Sequence, residues 1–186
     1  MSASAAGVQA ALDAVRARIE AAARRAGRDP STVRLLAVSK THGPDAVRAA
    51  YARGQRDFGE NYVQEMIDKA ERARADGLSE IRWHFIGHLQ TNKVKALLPY
   101  VAMIHGVGSL RLAEEISKRA KAHETLKNGR ISVLAEVNID GEESKSGVQI
   151  SELRDLATSM ARLPNLEFKG LMCIPDPARA SGSRWR

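Results

Sequence analysis

Lys40 is the residue whose type and position most plainly offer chemistry. It follows the apolar run Val33–Val38 directly, in LLAVSK, and so belongs to the carboxyl end of a predicted strand. In parallel α/β proteins ligands gather at that end. A lysine there that loses water around its ammonium can act as an amine nucleophile toward an aldehyde. Taken alone, a solvated lysine at a strand end is the plainer reading. The other strand ends shift the balance: Asn61 follows the second strand, His84 and Ile86 share one face of the third, and Asn138 ends the fifth. Polar groups are therefore expected to converge on one rim.

Other patterns carry less. Gly106-Val107-Gly108 starts like a dinucleotide fingerprint, but Arg111 stands where the third glycine belongs. There is no GxxxxGK[ST] phosphate loop and no GxSxG elbow. His84 and His88 flank Gly87 at a strand end, where a spacing of four does not put both on one face, so no metal site is expected. Cys173 is the single cysteine, which rules out an intramolecular disulfide, and it reads as a small buried hydrophobe in a strand.

These residues need elements to hold them. Val8, Leu12, Val15 and Ile19 follow helical spacing, predicting an amphipathic helix over 5–26 with Gly27 as its stop. Further helices are predicted over 44–53, 61–75, 90–98, 109–124 and 150–162, and strands over 33–38, 57–59, 81–86, 101–107, 131–139 and 167–173. Six strands alternating with helices mean a parallel sheet with helical crossovers. No low-complexity stretch or linker divides the chain, so one domain is expected. Periodicity at 186 residues favours an open doubly wound sheet, since a (β/α)₈ barrel typically takes about 250.

Charge narrows the partners. The net +7 divides into +3 from residues 1–28, +3 from Arg179, Arg184 and Arg186, and +1 from the body between. An excess confined to a first helix and a tail is a solvated surface more than a nucleic-acid face, so no nucleic-acid partner is expected. No apolar run approaches the roughly 20 residues of a membrane span, and the amino end lacks a signal-peptide pattern. A cytoplasmic protein without membrane contact is the expectation.

Five ordered motifs overturn the choice of sheet closure. LLAVSKTH (35–42), FGENYVQE (58–65), WHFIGHLQTNK (83–93), VNIDGEESKSGV (137–148) and GLMCIP (170–175) closely resemble the pyridoxal phosphate homeostasis protein family, itself similar to the N-terminal barrel domain of alanine racemase. The resemblance implies a (β/α)₈ TIM-barrel-type fold. It implies pyridoxal 5′-phosphate (PLP) as cofactor, held as a Schiff base on Lys40, with Asn61 and the strand-three residues around Ile86 lining the cofactor. It implies a PLP carrier or regulator without turnover, with PLP-dependent apo-enzymes as partners. A PLP-dependent racemase-type enzyme is the alternative, although alanine racemase draws an acid–base tyrosine from a second domain.

Two departures accompany the resemblance. Family chains continue past GLMCIP with a sixth helix, two strands, a serine- and glycine-rich phosphate segment and an arginine facing the pyridine nitrogen. The expectation is an incomplete barrel of about six β/α units over 1–177 with a non-family tail over 178–186, from a truncated or frame-shifted product. Open edges on the first and last strands would then leave a monomer prone to self-association, with weakened PLP binding or none. Gly106-Val107-Gly108-Ser109 stands where the family more often shows Ser-Val-Asp-Ser, so Gly108 replaces an acid.

Overall fold

The structure is a computed structural model that describes residues 4–122, 129–142 and 146–176. The tail expected over 178–186 lies outside the described residues. The chain divides into two compact units, residues 1–84 and 85–186.

In the first unit, helix α1 (Ala5–Arg25) starts where Ser4 Oγ accepts the Gly7 N–H, and it buries Leu12 and Ala23. Gly27 closes it in the left-handed region (φ 64°), where glycine bears no Cβ penalty. Strand β1 (Ala37–Val38), helix α2 (Pro44–Ala52), strand β2 (Asp57–Glu60), helix α3 (Val63–Ala75) and strand β3 (Arg82–Phe85) follow. Pro44 sits in the first turn of α2, where its missing N–H has no partner to lose. Asp13 and Arg53 join α1 to the end of α2 by an ion pair of 2.6 Å. Phe58 and Trp83 pack with ring centroids 5.7 Å apart in the core beneath.

The expected strand 33–38 is much shorter in the structure. Ala37 pairs with Phe58 and Val38 with Gly59, in parallel. Because β2 begins only at Asp57, nothing extended lies opposite residues 33–35. Gln55 Nε2 donates to the Leu35 carbonyl instead, at 2.9 Å, and a 3-10 turn at Pro30–Thr32 precedes it.

The second unit holds helix α4 (Val94–Leu97), strand β4 (Val101–Val107), helix α5 (Leu110–Lys121), strand β5 (Ile131–Glu136), helix α6 (Leu153–Arg162) and strand β6 (Leu166–Met172). Strand β5 pairs in parallel with β4 on one side and β6 on the other. Val133, Ile104 and Leu166 are fully buried on these strands, as are Ile116 and Ala120 of α5 and Met160 of α6. The helix expected over 90–98 resolves into a 3-10 turn (Thr91–Lys93) and the single turn of α4, which Pro99 stops. The strand expected to reach 139 ends at Glu136. Beyond it the backbone is diverted: Val148 N–H donates to the Glu136 carbonyl, and Asn138 N–H to the Val148 carbonyl.

Each strand thus precedes the helix that returns the chain to the next, in the β/α alternation that the periodicity predicts.

Candidate functional site

Lys40 lies two residues past β1, exposed, in a turn whose backbone is tightly determined. The Ser39 N–H continues the ladder to the Gly59 carbonyl, and the His42 N–H closes back onto the Ser39 carbonyl at 3.0 Å. Thr41 between them has φ 64°, a left-handed conformation that is unusual for a β-branched residue. Its N–H donates to Glu65 Oε1 at 2.7 Å, which holds the turn in that conformation.

Behind the turn is a buried ionic cluster. Glu60, the last residue of β2, is wholly buried, and its Oε1 accepts from Ser39 Oγ at 2.6 Å and from Lys69 Nζ at 2.7 Å. The same ammonium donates to the Ser39 carbonyl (2.6 Å) and to Glu65 Oε1 (2.8 Å). Lys69 and Glu65 stand one turn apart on α3, so the helix carries both charges to the loop. Burial pushes the Glu65 carboxyl up, but the Lys69 and Thr41 hydrogen bonds outweigh it and hold it below its ordinary range. Residues 39 and 41 are both tied to this cluster, and Lys40 stands between them.

Asn61 follows Glu60. Val38 pairs with Gly59, Ser39 and Glu60 come next in the chain after them, and Lys40 and Asn61 each follow one residue later. The Asn61 side-chain oxygen is buried without a hydrogen-bond partner. A buried acceptor of this kind costs about 1–3 kcal/mol until a donor reaches it. Ile86, half-buried, follows β3 directly and opens the second unit. Lys40 and Asn61 thus each follow the end of one of two paired strands in the first unit.

The expected convergence of His84 on the same rim does not occur. His84 Nε2 lies 2.9 Å from Asp57 Oδ1, at the start of β2, and Arg82 donates to both oxygens of that carboxylate (2.7 and 2.6 Å). Burial raises the Asp57 carboxyl, yet Arg82 and His84 together hold it below its ordinary value. Burial lowers His84, and the hydrogen bond to Asp57 offsets this only in part. His88 instead meets Ser146 Oγ at 3.3 Å. Asn138 lies beyond β5, where its amide donates to the Glu142 carbonyl and accepts the Glu142 N–H. Cys173 falls just past β6 and is half-buried, a correction to the strand position expected for it.

The sequence reading missed Glu60, Glu65 and Lys69. Only the four-residue spacing of Glu65 and Lys69 was visible in one dimension, since Glu60 reaches Lys69 across a strand and a helix. It also passed over Glu136, whose signal was an acid in the otherwise apolar run ISVLAEVNI.

The alanine racemase N-terminal domain family matches residues 10–183. The pyridoxal phosphate homeostasis protein of Escherichia coli K12 is 44% identical over 166 residues, covering 89% of this chain and 69% of the relative. The chain belongs to the pyridoxal phosphate homeostasis protein family. Among solved structures, a protein of unknown function from Bifidobacterium adolescentis is 38% identical with a TM-score of 0.81, over 93% of this chain and 71% of that one. PipY of Synechococcus elongatus, solved with PLP bound, is 34% identical with a TM-score of 0.70, over 86% and 71%. Membership in the family gives the six strands and the helices between them their class, the barrel-type fold of the racemase N-terminal domain, in place of the open sheet that periodicity favours. Among the described residues no helix is long and apolar enough to cross a membrane.

Proposed function

We propose that this chain binds PLP in the service of PLP homeostasis, with Lys40 as the covalent anchor. Two observations carry the reading: an exposed lysine amine and a buried, unpartnered amide oxygen on Asn61, each just past the end of one of two paired strands. The cluster around Lys69 supports it, since Ser39 bonds to Lys69 and Glu60 and Thr41 bonds to Glu65, which holds the backbone on both sides of Lys40. The Lys40 amine adds to the PLP aldehyde, and water leaves as the Schiff base forms. Asn61 presents an acceptor to a donor on the ligand.

The same chemistry favours a carrier over an enzyme. Turnover on PLP needs an acid or base free to move a proton at the substrate carbon. In the first unit Glu60 and Glu65 are each ion-paired to Lys69, and Asp57 is bonded to His84. Residues 1–177 act in this reading as the PLP-binding domain, with PLP-dependent apo-enzymes in the cytoplasm as recipients.

Titration of the chain with PLP, followed by absorbance in the Schiff-base band, tests the proposal. Saturation at one PLP per chain, lost in Lys40→Ala while circular dichroism is unchanged, is expected. An unchanged band in Lys40→Ala contradicts it.

A further inference from the structure

In the second unit Gly106, Gly108 and Ser109 wall a cavity of about 500 Å³, together with Glu136 at the end of β5, His88 and Arg111. A Cβ on Gly106 would stand 2.7 Å from the Gly87 carbonyl oxygen and 3.3 Å from Glu136 Oε2. A Cβ on Gly108 would stand 3.2 Å from the Gly147 backbone. Backbone thus closes over these two positions, and glycine is what the close approach requires.

Glu136 is 7% exposed and opens onto this cavity. Among the described residues its carboxylate takes no hydrogen bond and no ion pair. Burial pushes its carboxyl above the ordinary range, with His88 pulling partly back. A lone buried carboxylate is costly, and a cationic donor in the cavity relieves that cost.

Arg111, in the first turn of α5, lines the same cavity and is exposed. Ser109 Oγ accepts the Leu112 N–H at 3.3 Å, which leaves the Leu110 and Arg111 N–H groups at the positive end of the helix. The first turn of α5 contains no acid, and among the described residues the Arg111 guanidinium has no ion pair. Among the described residues, one cavity therefore presents a buried acid without a hydrogen bond or ion pair and an exposed base without an ion pair.

We propose that this cavity binds a small aminocarboxylate, its ammonium on Glu136 and its carboxylate on Arg111 and the amino end of α5. Such a ligand satisfies both sites at once, and a simple cation or a simple anion satisfies only one. The site draws on the second unit alone and does not depend on the reading of Lys40.

The test is isothermal titration of the full chain without added PLP. The probes are glycine, β-alanine and γ-aminobutyrate, with ethylamine and acetate as single-charge controls. At least one aminocarboxylate is expected to bind about tenfold or more tighter than either control. Glu136→Gln and the surface variant Arg111→Gln are each expected to weaken it by about tenfold or more. Binding of a control as tight as that of every aminocarboxylate overturns the proposal, as does absence of saturable binding by all three. So does affinity unchanged in Arg111→Gln, a variant whose exposed side chain leaves the fold intact. Because PLP is absent from every arm, a Lys40 that forms no Schiff base leaves this result standing.

Discussion

Glu60 ends β2 in the first unit and Glu136 ends β5 in the second, and burial removes both carboxylates from water. Around Glu60 the chain supplies Oε1 with an ammonium from α3 and a hydroxyl from just past β1, leaving Oε2 buried without a hydrogen-bond partner. The same ammonium together with Glu65 fastens the two residues that flank Lys40. Around Glu136 the described residues supply glycine, open space and no hydrogen bond or ion pair. Strand ends of the same kind can therefore serve opposite purposes. Where a buried acid is answered from within, it braces a loop. Where it is left unanswered, it marks a place for something from outside.

Removing the internal answer to Glu60 gives the largest effect. Lys69→Met leaves Glu60 without its cation and is expected to cost about 3–5 kcal/mol in urea unfolding, and to weaken Schiff-base formation at Lys40 with it. The double variant Glu60→Gln/Lys69→Met should recover part of that stability, because no buried charge is then unpaired. A loss below about 1 kcal/mol in Lys69→Met would place the pair among ordinary surface ion pairs and dissolve the contrast.

Asp57 extends the comparison, as a second answered acid. Asp57→Asn is expected to cost about 1–3 kcal/mol, read by the same unfolding curves. Its pH dependence has a definite sign. His84 is held below its ordinary value of 6.5, so below that pH the unfolded chain takes up a proton that the folded chain refuses, and stability falls. Asp57 is held below 3.8, so its share is present above that value and is lost on further acidification.

Glu136 runs the other way. Its folded carboxyl titrates above 4.5, so its contribution is full below that pH and is lost as pH rises through the elevated value. Glu136→Gln should remove this alkaline-side loss and leave the protein about 1 kcal/mol more stable at pH 8, measured by thermal melts across pH. A variant less stable than the parent at pH 8 would mean that Glu136 is answered from within after all.

The smallest effect concerns the turn itself. Thr41→Gly relieves the left-handed strain at φ 64° and is expected to stabilise by less than about 1 kcal/mol, since the unfolded chain gains freedom as well.

Some of this was legible in one dimension. The period and caps of α1, β4 and α5 mark those elements to within a few residues of their observed limits, because each is set by its own pattern of burial. Lys40 and Asn61 stand out because they follow strands directly and sit in ordered motifs. Strand β1 was overextended because its length depends on where β2 begins. His84 was assigned to the wrong neighbours because spacing does not show which residue of the adjacent strand receives a side chain, and Asp57 receives it. Lys69 was invisible for the same reason, as its partners come from a strand end, a loop carbonyl and its own helix.

Borohydride reduction of the PLP-treated chain, followed by peptide mapping, tests the central claim most directly. A single reduced pyridoxyl adduct on Lys40, absent from Lys40→Ala, is the expected result. Label scattered over surface lysines, or concentrated on a lysine other than Lys40, would contradict the assignment of the anchor.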